Sequence, residues 1–202
     1  SDAEVDHRSA QRLAETDPLL DIGNVRAMNK VAPQIDNDPN MVWISADANG
    51  MKDINDNLGH GAGDEFLKNN RDAVIQAVKE SGVSNYHIFR PGGDELMVAV
   101  PKAKAEDIAN QIENLSTRDY TSPDGSVTKR GTLSASVFDT TKEAESQDGQ
   151  AQLASRKIMA KAVHGIPGRN AEEQGLIDAV RGQLDTGEAP AAGSVGGAPA
   201  AG

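Results

Sequence analysis

The segment from Gly92 to Glu95, Gly-Gly-Asp-Glu, constrains the fold more than any other feature of this chain. One apolar run, Tyr86 to Phe89, lies before it, and a second, Leu96 to Val100, follows it. Two short apolar runs joined by Gly and Asp are typical of a β-hairpin. Glycines allow a phosphate to approach the backbone, and adjacent carboxylates attract hard cations such as Mg²⁺. The pattern predicts a hairpin that handles a nucleotide, although an ordinary exposed turn would use the same residue types.

The other elements follow from hydrophobic periodicity and turn residues. A buried strand is predicted from Met41 to Ala46, with Asp47 at its end. The segment from Asn49 to Asp64 is dense in Asn, Asp and Gly, and the long helix after it stops near Gly82. The remaining predicted elements are helices over 25–31, 108–115, 153–163 and 171–184, a loop over 33–40, a hairpin turn at Asp124-Gly125 and a strand over 132–138.

The order of these elements predicts the fold class. Strand, helix, strand, strand, helix, strand is the ferredoxin-like βαββαβ plan, an α/β (α+β) architecture, here with extra helices at both ends. In that plan the strand that leads to Asp47 lies beside the strand that follows Asp94 and Glu95. We therefore expect these acids to meet at one edge of the sheet as a two-carboxylate metal site.

Composition excludes several classes of function. The formal net charge of −11 argues against general nucleic-acid or anionic-membrane binding, both of which rest on Lys and Arg patches. With no cysteine, the chain has no disulfide, thiol nucleophile or cysteine zinc site. No apolar run approaches the length of a membrane span, and a cytoplasmic location is the default expectation.

We predict three segments along the chain. Residues 1–16 form a weak helical lead-in, residues 17–184 form the globular domain, and residues 185–202 form an Ala-, Gly- and Pro-rich tail that cannot bury a core. The chain starts at Ser1 and ends in this linker-like tail. These features are typical of a piece of a longer protein.

A calcium site was the first alternative for the Asp- and Asn-rich segment. The oxygens of Asp53, Asn55 and Asn57 imitate the start of an EF-hand loop. However, Leu58 stands where such a loop needs Gly, and Asp64 stands where it needs a bidentate Glu. The segment is therefore not expected to bind Ca²⁺.

Two motifs at a suitable separation resemble a known family. The segment from Arg90 to Leu96 is similar to the signature of GGDEF-type diguanylate cyclase domains, and residues 47–64 match that family's spacing for Lys, Asn-Asp, Gly-His and Gly-Asp. Gly168-Arg169-Asn170 resembles the family's closing motif. The resemblance covers about residues 17–170 and implies a palm-type nucleotidyl cyclase core.

The resemblance also implies roles for individual residues. Mg²⁺ or Mn²⁺ would be bound by Asp47, the carbonyl of Ala48 and Asp94. Catalytic roles would fall to Glu95 at the ribose 3′-hydroxyl, to Asp94 and to Lys52. Asn55 and Asp64 would bind the guanine edge, since a carboxylate only accepts hydrogen bonds and suits guanine N–H donors. The other substrate-binding residues would be Gly92, Gly93, Lys161 and Arg169.

The implied activity is the condensation of two GTP molecules to cyclic di-GMP and pyrophosphate by a homodimer. Asn49-Gly50 replaces the acid-aromatic pair that the family usually has after its metal Asp, and the predicted consequence is a more flexible phosphate loop. The alternatives are a catalytically inactive GTP-binding module and an interaction segment of a larger multidomain protein.

Overall fold

The structure, a computed structural model, describes residues 1–187, so that residues 188–202 of the predicted tail lie outside the described part. Within residues 1–187 the chain forms one six-stranded sheet and eight α-helices. The strands are β1 Gly23–Asn24, β2 Met41–Asn49, β3 His87–Gly92, β4 Glu95–Pro101, β5 Arg118–Thr121 and β6 Thr128–Phe138. The helices are α1 Asp2–Glu15, α2 Val25–Asp36, α3 Met51–Leu58, α4 His60–Glu80, α5 Ala105–Ser116, α6 Thr141–Glu145, α7 Gln147–His164 and α8 Ala171–Asp185.

The sheet topology confirms the predicted fold. The strand order is β1-β3-β4-β2-β6-β5, and its inner four strands have the ferredoxin-like arrangement. Strand β2 is antiparallel to both β4 and β6, while the short β1 runs parallel to β3. The strands that carry Asp47 and Glu95 are therefore central neighbours, as the sequence predicts.

The two faces of β2 pack in different hydrophobic clusters. Val42, Ile44, Ala46 and Ala48 belong to the main core, which also contains residues of α4 and α5. Trp43 packs in a second cluster with Phe89, Met97 and residues of α2. Because alternate residues of a strand share a face, Ser45, Asp47 and Asn49 lie on the same face as Trp43. This row becomes polar towards the end of β2, where the candidate site is found.

An ion pair with a buried carboxylate joins α7 to α5. Glu113 of α5 is 3% exposed, and its Oε2 accepts a 2.8 Å hydrogen bond from Arg156 Nε of α7. Burial raises the pKa of Glu113, and the hydrogen bond and charge of Arg156 oppose that shift. The pair fixes α7 against α5 and so sets the position of the residues that α7 contributes to the site.

The predicted loop over 33–40 is wrong in its first half, because α2 continues through Pro33 to Asp36. Two tertiary contacts hold its last turn. Ile35 is buried, and Asp36 accepts hydrogen bonds from Trp43 Nε1 at 2.7 Å and Thr141 Oγ1 at 2.6 Å. These contacts outweigh the helix-breaking tendency of Pro33.

The segment from Asn49 to Asp64 also contains more regular structure than its composition indicates. It forms α3 and the start of α4, which join at Gly59. Ile54 is fully buried and anchors α3 to the core. Asp64 consequently lies inside α4, one turn after its start.

None of the helices in residues 1–187 is both long enough and apolar enough to cross a membrane.

Candidate active site

The turn between β3 and β4 brings three carboxylates to one corner of the sheet. Asp47 of β2 is directly opposite Glu95 of β4, and this is the last residue pair of the β2–β4 ladder. The turn itself consists of Gly93, which has a φ of 54°, and Asp94. Because a positive φ strains most residues with a side chain, Gly suits this position. We call Asp47, Asp94 and Glu95 the carboxylate corner.

Contacts behind the turn hold its position. Arg90 Nε donates a 2.9 Å hydrogen bond to the carbonyl of Gly93. The same guanidinium lies 3.2 Å from Asp17 Oδ1, and Asp17 Oδ2 accepts the backbone N–H of Leu20 at 2.8 Å. The turn is thereby tied to the segment that leads into β1.

Burial and mutual repulsion raise the pKa of two carboxylates of the corner, Asp47 and Glu95. Burial raises the pKa of Asp47, the charge of Asp94 raises it further, and Lys157 opposes both effects. Burial also raises the pKa of Glu95, and the charges of Asp47 and Asp94 add to the shift. Ser45 Oγ, 3.4 Å from Glu95 Oε1, lowers it in part. Carboxylates that are buried and close to one another are a donor set that a divalent cation neutralises.

The carboxylate corner suits a cation that takes its remaining ligands from the substrate or from water. Within residues 1–187, no three His, Cys, Asp or Glu side chains converge closely enough to bind a metal ion alone. Mg²⁺ in nucleotide sites commonly takes one or two carboxylates together with phosphate oxygens. Ala48 follows the last β2–β4 pair, so its backbone lies just beyond that ladder. The corner thus fits Mg²⁺ or Mn²⁺ with a phosphate, and it is a poor fit for an all-protein cation site.

A groove of about 440 Å³ begins at Asp47 and runs between α7 and the start of α8. Its cationic residues are Lys157 and Lys161 of α7 and Arg169 of the following loop. Lys157 Nζ lies 4.0 Å from Asp47 Oδ2. We call this the cation groove, and it shares Asp47 with the carboxylate corner.

The predicted pair Lys161 and Arg169 meets in this groove despite its long sequence separation. Lys161 Nζ donates a hydrogen bond to Glu173 Oε1, and Arg169 Nε lies 3.0 Å from Glu173 Oε2. Lys161 is 8% exposed, whereas the Arg169 side chain is 77% exposed. Both predicted phosphate-binding cations are therefore paired with one carboxylate of α8.

The predicted guanine-binding residues lie on the helices that follow β2. Asn55 of α3 packs over the backbone of Gly63 in α4, and a Cβ at Gly63 would overlap Asn55 Oδ1. That oxygen is buried and has no hydrogen-bond partner within the described part of the chain. Asp64, one residue after Gly63, is exposed to solvent.

Lys52 does not line the cation groove and pairs instead with a carboxylate of its own helix. Its Nζ lies 2.5 Å from Asp56 Oδ2 on the outer face of α3, and its side chain is 88% exposed. The neighbouring carboxylate raises the pKa of Lys52.

The Asn49-Gly50 turn lies at the end of β2, packed closely against the backbone before β6. Asn49 is the last residue of β2, paired with Thr132 of β6 and 1% exposed. Gly50 has a φ of 96°, and a Cβ there would lie 2.7 Å from the carbonyl oxygen of Arg130. Only glycine fits this close backbone crossing.

Sequence reasoning missed Lys157 and Glu173. Lys157 precedes Lys161 by four residues, so the helical spacing would have placed both side chains on one face of α7. For Glu173, the spacing of four from Arg169 was the available signal. Its second partner, Lys161, depends on the packing of α8 against α7, which no local pattern shows.

Comparisons with known proteins found a matching family profile and relatives of similar sequence. The family profile described as "Diguanylate cyclase, GGDEF domain" matches residues 14–162. An uncharacterized membrane protein of Staphylococcus haemolyticus is 33% identical over 107 residues, which are 50% of this chain and 29% of that protein. Diguanylate cyclase DosC of Escherichia coli K12 is 33% identical over 72 residues, which are 36% of this chain and 15% of that protein. The chain thus spans less than a third of the length of either relative.

A solved structure shows the same fold. Diguanylate cyclase SiaD from Pseudomonas aeruginosa, in complex with its activator SiaC, superimposes with a TM-score of 0.56 at 19% identity. The match covers 80% of this chain and 67% of that one.

Proposed function

The chain belongs to the GGDEF domain family, and from this premise we propose that it is a diguanylate cyclase. The reaction condenses two GTP molecules to cyclic di-GMP and two pyrophosphates, and residues 17–184 form the domain that carries it. One observation supports this proposal above the others. Asp47 belongs both to the carboxylate corner and to the cation groove, so the proposed metal site and the proposed phosphate site would adjoin.

The carboxylate corner is the proposed metal and 3′-hydroxyl site. Asp47, Asp94 and the carbonyl of Ala48 would bind Mg²⁺ or Mn²⁺. A divalent ion there supplies positive charge to the α-phosphate and the leaving pyrophosphate. Glu95, beside Asp47 in the sheet register, would orient the ribose 3′-hydroxyl and accept its proton.

The cation groove is the proposed site of the phosphates. Lys161, Arg169 and Lys157 would neutralise phosphate oxygens there, as Arg and Lys do in charge-assisted hydrogen bonds. Gly92 and Gly93 are exposed at the turn, where small residues leave room for the nucleotide. Lys52 would reach the phosphates only after its side chain leaves Asp56.

Asn55 and Asp64 are the proposed guanine-binding residues. The unpartnered Oδ1 of Asn55 is an acceptor, and a buried acceptor without a donor costs roughly 1–3 kcal/mol. Guanine presents ring and exocyclic N–H donors on the edge where adenine presents an acceptor at N1. Two acceptors therefore favour guanine over adenine at this place.

Turnover is proposed to require a homodimer. Each domain would present one GTP, and the 3′-hydroxyl of each would attack the α-phosphate of the other as pyrophosphate leaves. Two attacks close the ring, which suits two identical domains related by a two-fold axis. Specific activity should consequently rise with protein concentration until the dimer saturates.

The proposal is tested by incubating the purified chain with GTP and Mg²⁺ and measuring cyclic di-GMP and pyrophosphate. Asp94→Asn should lower turnover by roughly a hundredfold or more, because it removes one metal-binding charge. Asp139→Asn is the matched control, since Asp139 is an exposed acid that pairs with Lys102. Equal turnover by the two variants would contradict the proposal. GTP binding without any product would instead favour the inactive binding module.

A further inference from the structure

Glu173 places a carboxylate inside the cation groove. Its Oε1 accepts hydrogen bonds from Lys161 Nζ and, at 3.3 Å, from the backbone N–H of Arg169. Its Oε2 lies 3.0 Å from Arg169 Nε. The side chain is only 11% exposed, so these pairs are partly shielded from water. One acidic side chain thus contacts both residues that are predicted to bind phosphate, Lys161 and Arg169, together with a backbone N–H.

The rest of α8 fixes the backbone of Glu173 beside the groove. Asn170 caps the helix and accepts the backbone N–H of Glu173 at 2.8 Å. Ile177 and Val180 are buried in a cluster with Ile158 of α7 and other residues of that helix. Gln174 Oε1 accepts the backbone N–H of Gly168 at 2.7 Å, which ties the loop before α8 to its first turn. The backbone position of Glu173 is therefore set by an entire packed helix.

The groove as a whole has no excess positive charge. Its ionisable lining consists of three cationic residues and three acidic ones. They are Lys157, Lys161, Arg169, Asp47, Glu172 and Glu173. A triphosphate gains little from such a lining unless an acidic partner moves away or a metal ion compensates. Of the acidic residues, Glu173 is the one paired with both Lys161 and Arg169.

We propose that the Glu173 carboxylate occupies the place of a phosphate group, and that a polyphosphate chain binds by displacing it from Lys161 and Arg169. Glu173 is then the residue that sets the affinity of the groove for nucleotide. A phosphate can replace it because it has more negative charge and more acceptor oxygens than a carboxylate. The inference rests on the proposed function only in taking the groove as the phosphate end of the site.

The test compares Glu173→Gln with Glu172→Gln by calorimetry on the full chain. The ligands are inorganic tripolyphosphate and GTP, each with Mg²⁺. Both variants remove one negative charge from the groove lining, but only the first removes the ion pairs with Lys161 and Arg169. Glu173→Gln should tighten the dissociation constant about tenfold, and Glu172→Gln should change it by less than about threefold.

Glu173→Asp separates the effect of side-chain length from the effect of negative charge. It keeps the negative charge but is one methylene shorter, so it cannot bridge both cations with the same geometry. It should bind tripolyphosphate more tightly than the wild type, and it remains informative if Glu173→Gln does not fold. Thermal unfolding of each variant establishes that the chains compared are folded.

Each result separates this inference from the proposed function. Equal or weaker binding by Glu173→Gln and Glu173→Asp would overturn the inference, because Glu173 would then be positioning the two cations. The proposed function would survive that result if the wild type still converts GTP. Failure of all folded variants to bind either ligand would overturn both.

Discussion

Gly63 determines where the Asn55 side chain can lie. The Asn55 amide packs against the Gly63 backbone in the space that a Cβ would fill. Because Gly63 is inside α4, its lack of a side chain lowers helix propensity by roughly 0.5–1 kcal/mol relative to Ala. The chain accepts this cost where the predicted guanine-binding amide needs room.

Gly63→Ala should therefore weaken GTP binding with little change in the stability of the fold. The new methyl group would push the Asn55 amide away, while better helix propensity offsets the lost packing. We expect the dissociation constant for GTP to rise at least about tenfold and the free energy of unfolding to change by less than about 1 kcal/mol. Calorimetry and urea unfolding measure the two quantities.

Gly61→Ala is the matched control for this substitution. Gly61 lies in the same helix, and a Cβ there would meet open space within the described residues. If the two alanine variants bind GTP equally well, Asn55 has no role in recognising the base.

The residues of the carboxylate corner could be predicted from sequence, whereas the pairing of Glu173 with Lys161 in the groove could not. Asp47 follows an apolar strand, and Asp94 and Glu95 lie in a turn, so local patterns were sufficient. The pairing of Glu173 with Lys161 depends on how α8 packs on α7. The close approach of Gly50 to the Arg130 backbone likewise depends on tertiary packing that no local pattern shows.

The junction of α7 and α8 should make stability depend on pH. The pKa of Glu173 lies below its ordinary value of 4.5, because Lys161 and Arg169 outweigh the opposing effect of burial. The folded chain thus binds this proton less tightly than the unfolded chain. The resulting stabilisation is complete above the unfolded pKa and is lost as pH falls through the folded pKa.

Glu173→Gln should consequently lower the free energy of unfolding by about 2 kcal/mol near neutral pH, and by progressively less as the pH falls below about 4.5. Urea unfolding across this range measures the difference from the wild type. Glu172→Gln should show a small difference at every pH. A Glu173→Gln difference that stays constant on acidification would contradict the assigned pairing.

Strands were easier to predict than helix boundaries. The apolar runs over 41–46 and 96–100 both lie in central strands of the sheet, β2 and β4, where burial on both faces gives a continuous apolar pattern. Helix α2 passes through Pro33 because Ile35 and Asp36 have tertiary partners. Composition alone cannot show such partners, so the predicted end of this helix was too early.

The topology of the whole molecule assembles the candidate site. Strand order alone makes Asp47 and Glu95 neighbours, and the packing of α7 adds Lys157 beside Asp47. The chain is strongly acidic, with a formal net charge of −11, and its cation groove is lined by equal numbers of acidic and basic residues. A divalent cation is therefore the expected means by which this molecule attracts a polyanionic nucleotide.

The most direct test is a crystal structure of the chain grown with Mn²⁺ and a non-hydrolysable GTP analogue, in which anomalous scattering locates the metal. The account predicts a manganese peak coordinated by Asp47 and Asp94, with the phosphates in the groove at Lys161 and Arg169. Nucleotide bound with its phosphates outside the groove, or manganese bound away from both carboxylates, would contradict it.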